Sequence, residues 1–95
     1  MSLKRANIFE KEWMHMVKEL RCGCCGLLGP SDAHHILGED HRRISHFMTI
    51  PLCHAGCHQD AFLGIHGQKK AWVIHKKTEL KVLAETIEKI VRALI

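Results

Sequence analysis

Two stretches of this chain place apolar residues at helical spacing, and the stretch between them does not. Over residues 8–21, Phe9, Trp13, Met16, Val17 and Leu20 recur every three or four positions, which predicts a helix with one core-facing stripe. His15 falls off that stripe and reads as a solvated surface residue. The second pattern starts at Thr78, a residue suited to a helix N-cap. Leu80, Leu83, Ile87, Ile90 and Leu94 follow as one stripe, with Glu85/Lys89 and Glu88/Arg92 as i,i+4 pairs on the wet side. This stripe is expected to pack on the domain core, and pairing of two copies through it is the alternative.

The centre is punctuated differently. "CGCCG" and "LGPSD" are turn-rich. "AHHIL" (33–37) and "HFMTI" (46–50) are short, partly β-branched runs separated by the polar "GEDHRRIS", which predicts a β-hairpin. "CHQDAFL" (57–63) then begins a short helix ended by Gly64, and 68–76 can form another helical piece. The expected order is helix, turn, hairpin, helix, loop, helix. That is an α+β chain of one domain, 1–95, with an N-terminal helix over 8–21, a central unit over 22–67 and C-terminal helices over 68–95.

Composition narrows the class. Hydrophobic residues make up 46%, normal for a globular protein, and no apolar run reaches the roughly 18 residues of a membrane span. The opening "MSLKRANIFEKEW" has no apolar signal core, so a cytoplasmic protein without a membrane partner is expected. A net charge of +4 with pI near 8.9 is compatible with nucleic acid without demanding it. No small-molecule organic cofactor is expected. A domain this short often needs a staple, and in a reducing compartment that staple is a metal in preference to disulfides. Five cysteines, an odd number, point the same way.

All five cysteines and seven of the nine histidines lie between Arg21 and Gly67. Cys22-x2-Cys25 is followed by Gly26, which permits a tight turn whose amides can point at sulfur. Cys53-x3-Cys57 is a second close pair. Together the four thiolates make a structural zinc site that supplies folding free energy. Cys24 can replace Cys22 or Cys25 in this set, and His54 or His58 can replace Cys57. The histidines left over are His34-His35 on the first strand, His58 at the start of the short helix and His66 beyond it. Neighbours on a strand point to opposite faces, so one of His34 and His35 can join His58 and His66 around a second metal while the other stands beside it as a general base. A divalent ion with an adjacent neutral imidazole suits phosphodiester hydrolysis.

The series C-x-x-C-G, A-H-H, I-P-L-C-x-x-x-C-H and G-I-H-G, in that order over roughly Trp13 to Trp72, resembles the HNH endonuclease family, and within it the phage-type recombination-enhancement nucleases. The resemblance implies a small zinc-stabilised ββα-metal core with flanking helices. It implies a metal-dependent DNA endonuclease of low sequence specificity, connected with phage or prophage recombination. Cys22, Cys25, Cys53 and Cys57 match the structural zinc ligands, His34, His58 and His66 the ligands of a catalytic Mg2+, Mn2+, Ni2+ or Zn2+, and His35 the general base. The family's name-giving Asn is missing from the second strand. His46 and Thr49 are the nearest polar substitutes, and His46 is taken as the group that orients the base. The family's usual His-x3-His becomes His58 and His66 here, because Phe62 holds the intervening position.

DNA is the expected partner. Arg42 and Arg43 at the hairpin tip, with Lys69 and Lys70 after His66, flank the expected cleft and can neutralise phosphates without reading bases. Recombination machinery or a second copy of the chain is a further expected partner. The rival reading is a zinc-stabilised DNA or protein adaptor without catalysis.

Overall fold

The computed structural model describes residues 3–54 and 78–95. Among these, the chain builds helix α1 (Ile8–Lys18), strand β1 (Asp32–His35), strand β2 (Thr49–Leu52) and helix α2 (Glu79–Leu94), with the strands paired antiparallel. The result is a small α+β fold. The expected helices over 57–63 and 68–76 lie outside the described residues.

α1 starts where local chemistry dictates. The Asn7 side chain accepts from the Glu10 amide at 2.9 Å, and the Glu10 carboxylate accepts from the Asn7 amide at 2.8 Å. Two otherwise orphaned amides at the helix start are thereby satisfied together. The helix ends at Lys18, earlier than the expected 21. The released carbonyls of Lys18 and Leu20 accept from the Ser31 amide and hydroxyl, each at 2.8 Å. Those bonds tie the end of α1 to the start of β1. Of the expected stripe, Val17 is fully buried while Phe9 is exposed, because only the second half of α1 lies over the core.

The hairpin is present with its second strand shifted. Residues expected as strand at 46–48 turn instead, with the Met48 amide on the Ser45 carbonyl at 3.1 Å, and β2 occupies 49–52. β1 begins one residue earlier than expected and continues past its end through Ile36 N–H on the Met48 carbonyl and an isolated Leu37–Arg43 bridge. The register pairs His35 with Thr49, His34 with Ile50 and Ala33 with Pro51. Since Ile36 and Met48 share a hydrogen bond, alternation puts Ala33–Pro51 at a non-bonded position. Pro51 therefore costs the ladder nothing, and its outward carbonyl accepts from Gly23 N–H at 2.7 Å.

α2 packs on β2 by a face different from the expected one. Val82, Thr86 and Ile90 are buried and Leu83 packs partly, whereas Leu80, Ile87 and Leu94 are exposed. The physical reason is the seat at Gly23. A Cβ there would stand 2.3 Å from Val82 Cγ1 and 3.3 Å from the Pro51 carbonyl oxygen. Only glycine lets Val82 reach the knuckle, and that contact sets the rotation of the helix. Thr78 caps α2 as expected, accepting from Lys81 N–H at 3.1 Å, and Arg92 pairs with Glu88 at 2.9 Å. Among the described residues no helix is long and apolar enough to cross a membrane.

Gly23→Ala is expected to destabilise the protein by about 1–3 kcal/mol, the usual cost of overpacking a filled core. Chemical denaturation followed by circular dichroism measures this as a lowered midpoint with unchanged slope.

Candidate metal centre and histidine pair

The turn after α1 forms the first half of the sulfur site. Gly26 adopts φ +79°, a conformation that glycine takes freely, and its N–H donates to the Cys22 carbonyl at 2.9 Å. The same turn directs the Cys25 N–H at the Cys22 sulfur, 3.4 Å away. Burial pushes the Cys22 thiol up, but hydrogen bonds from the amides of Cys25, Cys53 and Cys24 and from the Cys25 side chain outweigh it and bring the thiol down to about 7. Such a thiol is readily ionised, and the thiolate is the form that binds metal.

β2 supplies the other half. It runs straight into Cys53, so the sulfurs of Cys22, Cys25 and Cys53 all lie within 4.8 Å of one another. Cys25 and Cys53 sulfurs are 3.7 Å apart. A disulfide requires about 2.05 Å, whereas two ligands on one tetrahedral zinc with Zn–S of about 2.3 Å stand roughly 3.8 Å apart. The spacing fits the shared ion. Three close cysteines could hold a metal ion such as zinc.

Cys57, the expected fourth ligand, lies outside the described residues, as does its alternative His58. Cys24 is buried in the hydrophobic core, and the cluster formed among the described residues is Cys22, Cys25 and Cys53. His54 likewise stands apart from the cluster, with its Nδ1 2.6 Å from Asp32 Oδ2.

The hairpin separates the two adjacent histidines, as strand geometry requires. His34 shares its face with Ile50 and is buried; its Nε2 lies 3.1 Å from Glu79 Oε2 in the first turn of α2. His35 shares the opposite face with Thr49, whose hydroxyl accepts from the Trp13 indole of α1 at 3.0 Å. Its Nε2 is 3.0 Å from His46 Nδ1, and His46 Nε2 is 2.6 Å from the Lys4 carbonyl oxygen. The two rings meet edge to face at 73°. His46 is held there from behind. The Thr49 hydroxyl donates to its carbonyl at 3.3 Å, and the neighbouring Phe47 ring packs edge-on against Trp13.

Burial, then the positive charge of Arg43, then His46 and His34, lower His35 from the ordinary 6.5 to about 4. The ring is therefore uncharged at neutral pH and keeps a lone pair. The charge of the Arg43 guanidinium is thus felt at His35. Arg42 and Arg43 are exposed on the hairpin tip, where His41 takes φ 61° and Asp40 Oδ1 accepts from Arg42 N–H at 3.1 Å. Lys69, Lys70 and the expected metal ligand His66 lie outside the described residues.

Glu79 was not anticipated. Nothing local in the sequence signals a partner 45 residues away. Comparison with models of known protein families, with curated proteins and with solved structures returns no match.

Two outcomes follow. The purified chain is expected to carry one tightly held zinc, measurable by elemental analysis. Cys53→Ser should weaken it by more than roughly 100-fold, the upper range for losing a mere outer-shell partner. A proton NMR titration should place the His35 midpoint near 4. Because that value is depressed on folding, the contribution of His35 to stability is present above about 6.5, its unfolded value, and is lost as pH falls toward the folded midpoint.

Proposed function

We propose that this chain is a metal-dependent DNA endonuclease of the HNH type, hydrolysing phosphodiester bonds with little regard to sequence. The observation that carries this reading is the hydrogen-bonded pair His35–His46 beside an exposed arginine tip, on a hairpin next to a cluster of three cysteines. A half-buried neutral imidazole that is oriented by a second ring is suited to take a proton from water. It is a poor choice for a purely structural contact, where an apolar pair would avoid the desolvation cost.

In this reading Cys22, Cys25 and Cys53, completed by Cys57, hold a structural zinc that fixes the hairpin against the knuckle. Arg42 and Arg43 bind the DNA backbone through phosphate, which gives affinity that falls steeply with salt. His35 accepts the proton of the attacking water and His46 orients it. The catalytic cation, Mg2+, Mn2+, Ni2+ or Zn2+, would be held by His34 with His58 and His66, and when bound it supplies positive charge for the phosphate oxygens. The carboxylate of Glu79 on one ring nitrogen of His34 supports that ligand assignment. Metal-binding histidines commonly donate their second N–H to a carboxylate, which fixes the ring. The likeness to recombination-enhancement nucleases extends the proposal to phage recombination, with recombination machinery or a second copy as partner.

The test is cleavage of supercoiled plasmid and of single-stranded DNA by the wild type and by His35→Ala, each verified for zinc, across magnesium, manganese, nickel and zinc. Wild type is expected to cleave. His35→Ala should fold, bind zinc and bind DNA while losing activity by about 100-fold or more, the contribution of a positioned base. Normal cleavage by His35→Ala would remove His35 from the role. Silence from both proteins, with zinc bound and DNA retained, would favour a zinc-stabilised adaptor instead.

A further inference from the structure

The segment before α1 has a part in the histidine pair that its sequence does not advertise. The Lys4 carbonyl oxygen stands 2.6 Å from His46 Nε2. A carbonyl oxygen only accepts, so His46 must carry its proton on Nε2. A neutral imidazole has one N–H, which leaves His46 Nδ1 as an acceptor. The partner of that acceptor, 3.0 Å away, is His35 Nε2, which must then donate. His35 is left with its lone pair on Nδ1.

We propose that the backbone carbonyl of Lys4, acting through His46, selects Nδ1 of His35 as the proton-accepting atom. The placement of that carbonyl follows from the chain's own local chemistry. The reciprocal Asn7–Glu10 bonds fix where α1 begins, and so fix how the preceding segment enters. His46 is buried and pinned by Thr49, so neither partner of the carbonyl drifts. His46 is a positioning residue in this scheme. It sets the tautomer of His35 and does not itself meet substrate.

The use of the arrangement rests on the nuclease reading. One O–H bond of the attacking water breaks, its proton goes to His35 Nδ1, and the oxygen's electron pair forms the new bond to phosphorus. The phosphorus bond to the leaving oxygen breaks, and that oxygen is protonated by solvent. His35 is then cationic, still donating from Nε2 to His46, and the Lys4 carbonyl steadies the charge at the far end of the chain. Were His46 to present Nδ1–H instead, His35 Nε2 would have to accept, its proton would sit on Nδ1, and the base would be blocked.

The deciding measurement is long-range proton–nitrogen NMR on the full-length, zinc-loaded protein labelled with 15N-histidine, without DNA. His35 and His46 are both expected as Nε2–H tautomers. A second arm uses His46→Asn and His46→Phe. The Asn amide oxygen stands near the place of His46 Nδ1, so His35 should keep its Nε2–H form and most of its kcat. His46→Phe should leave His35 a mixture of tautomers and lower kcat about tenfold or more, with DNA affinity unchanged, in line with the weight of one positioning partner. Finding His35 as Nδ1–H in the wild type overturns the proposal, and so does a His46→Phe protein with His35 tautomer and kcat intact. Correct tautomers in a protein that cleaves no DNA would sink the nuclease reading and leave the Lys4–His46–His35 assignment standing.

Discussion

The approach of Cys53 to the Cys22–Cys25 knuckle is the contact on which the remaining geometry depends. It closes a loop across 28 residues between Cys25 and Cys53, and that loop contains the whole hairpin. Ordering such a loop costs chain entropy, and this chain has little with which to offset it. Of the nine buried hydrophobic residues among those described, three are cysteines, Cys22, Cys24 and Cys53, and two of these belong to the sulfur cluster. Replacing thiol–thiol contact by thiolate–metal bonds converts the least hydrophobic part of that core into its strongest part. Gly23 then becomes understandable. It lies inside the knuckle, touches both Pro51 and Val82, and so transmits the position of the sulfurs to β2 and to α2 at once.

The hairpin turns this fixed frame into two different environments from two identical side chains. His34 and His35 are neighbours in sequence, yet one meets a carboxylate on α2 and the other meets a histidine held by the N-terminal segment. A carboxylate on one ring nitrogen fixes the orientation of the imidazole. Burial beside a guanidinium makes the other less willing to be charged. The two rings thus stand in unlike environments, and strand alternation alone is what separates them.

How much of this could be read from the chain depends on whether the signal was local. Thr78 as a cap and Gly26 as a turn residue are local rules, and each holds; Cys53 also meets the Cys22–Cys25 pair, while Cys57 lies outside the described residues. The opposite facing of His34 and His35 holds as well. The helical stripe of α2 misled because periodicity identifies an apolar face without saying which of two overlapping faces meets the core. Leu80, Ile87 and Leu94 are the larger residues, but the niche over Gly23 admits Val82, and the helix is turned to match. The second strand was placed three residues early because "HFMTI" is β-prone, while Ser45 offers its carbonyl to Met48 and closes a turn there. Glu79 and the Lys4 carbonyl were illegible for one reason. Both act at long sequence separation, and a backbone carbonyl has no residue type to notice.

Arg43 links the exposed hairpin tip to the histidine pair. Its charge is one cause of the low proton affinity of His35, second only to burial. A guanidinium on an exposed tip is also the group that a phosphate would neutralise first. Burial and the guanidinium together oppose any positive charge on His35, so the ring is neutral near pH 7. In the proposed nuclease reading, a bound phosphate diester would cancel the guanidinium's repulsion and add a negative charge of its own, and both changes would favour the protonated ring that forms as water attacks. In that reading the arginine that meets the backbone would also raise the strength of the base only when a phosphate is bound. A mere adaptor surface would gain nothing from that coupling, since binding phosphate needs the arginine but does not need a histidine whose proton affinity answers to it.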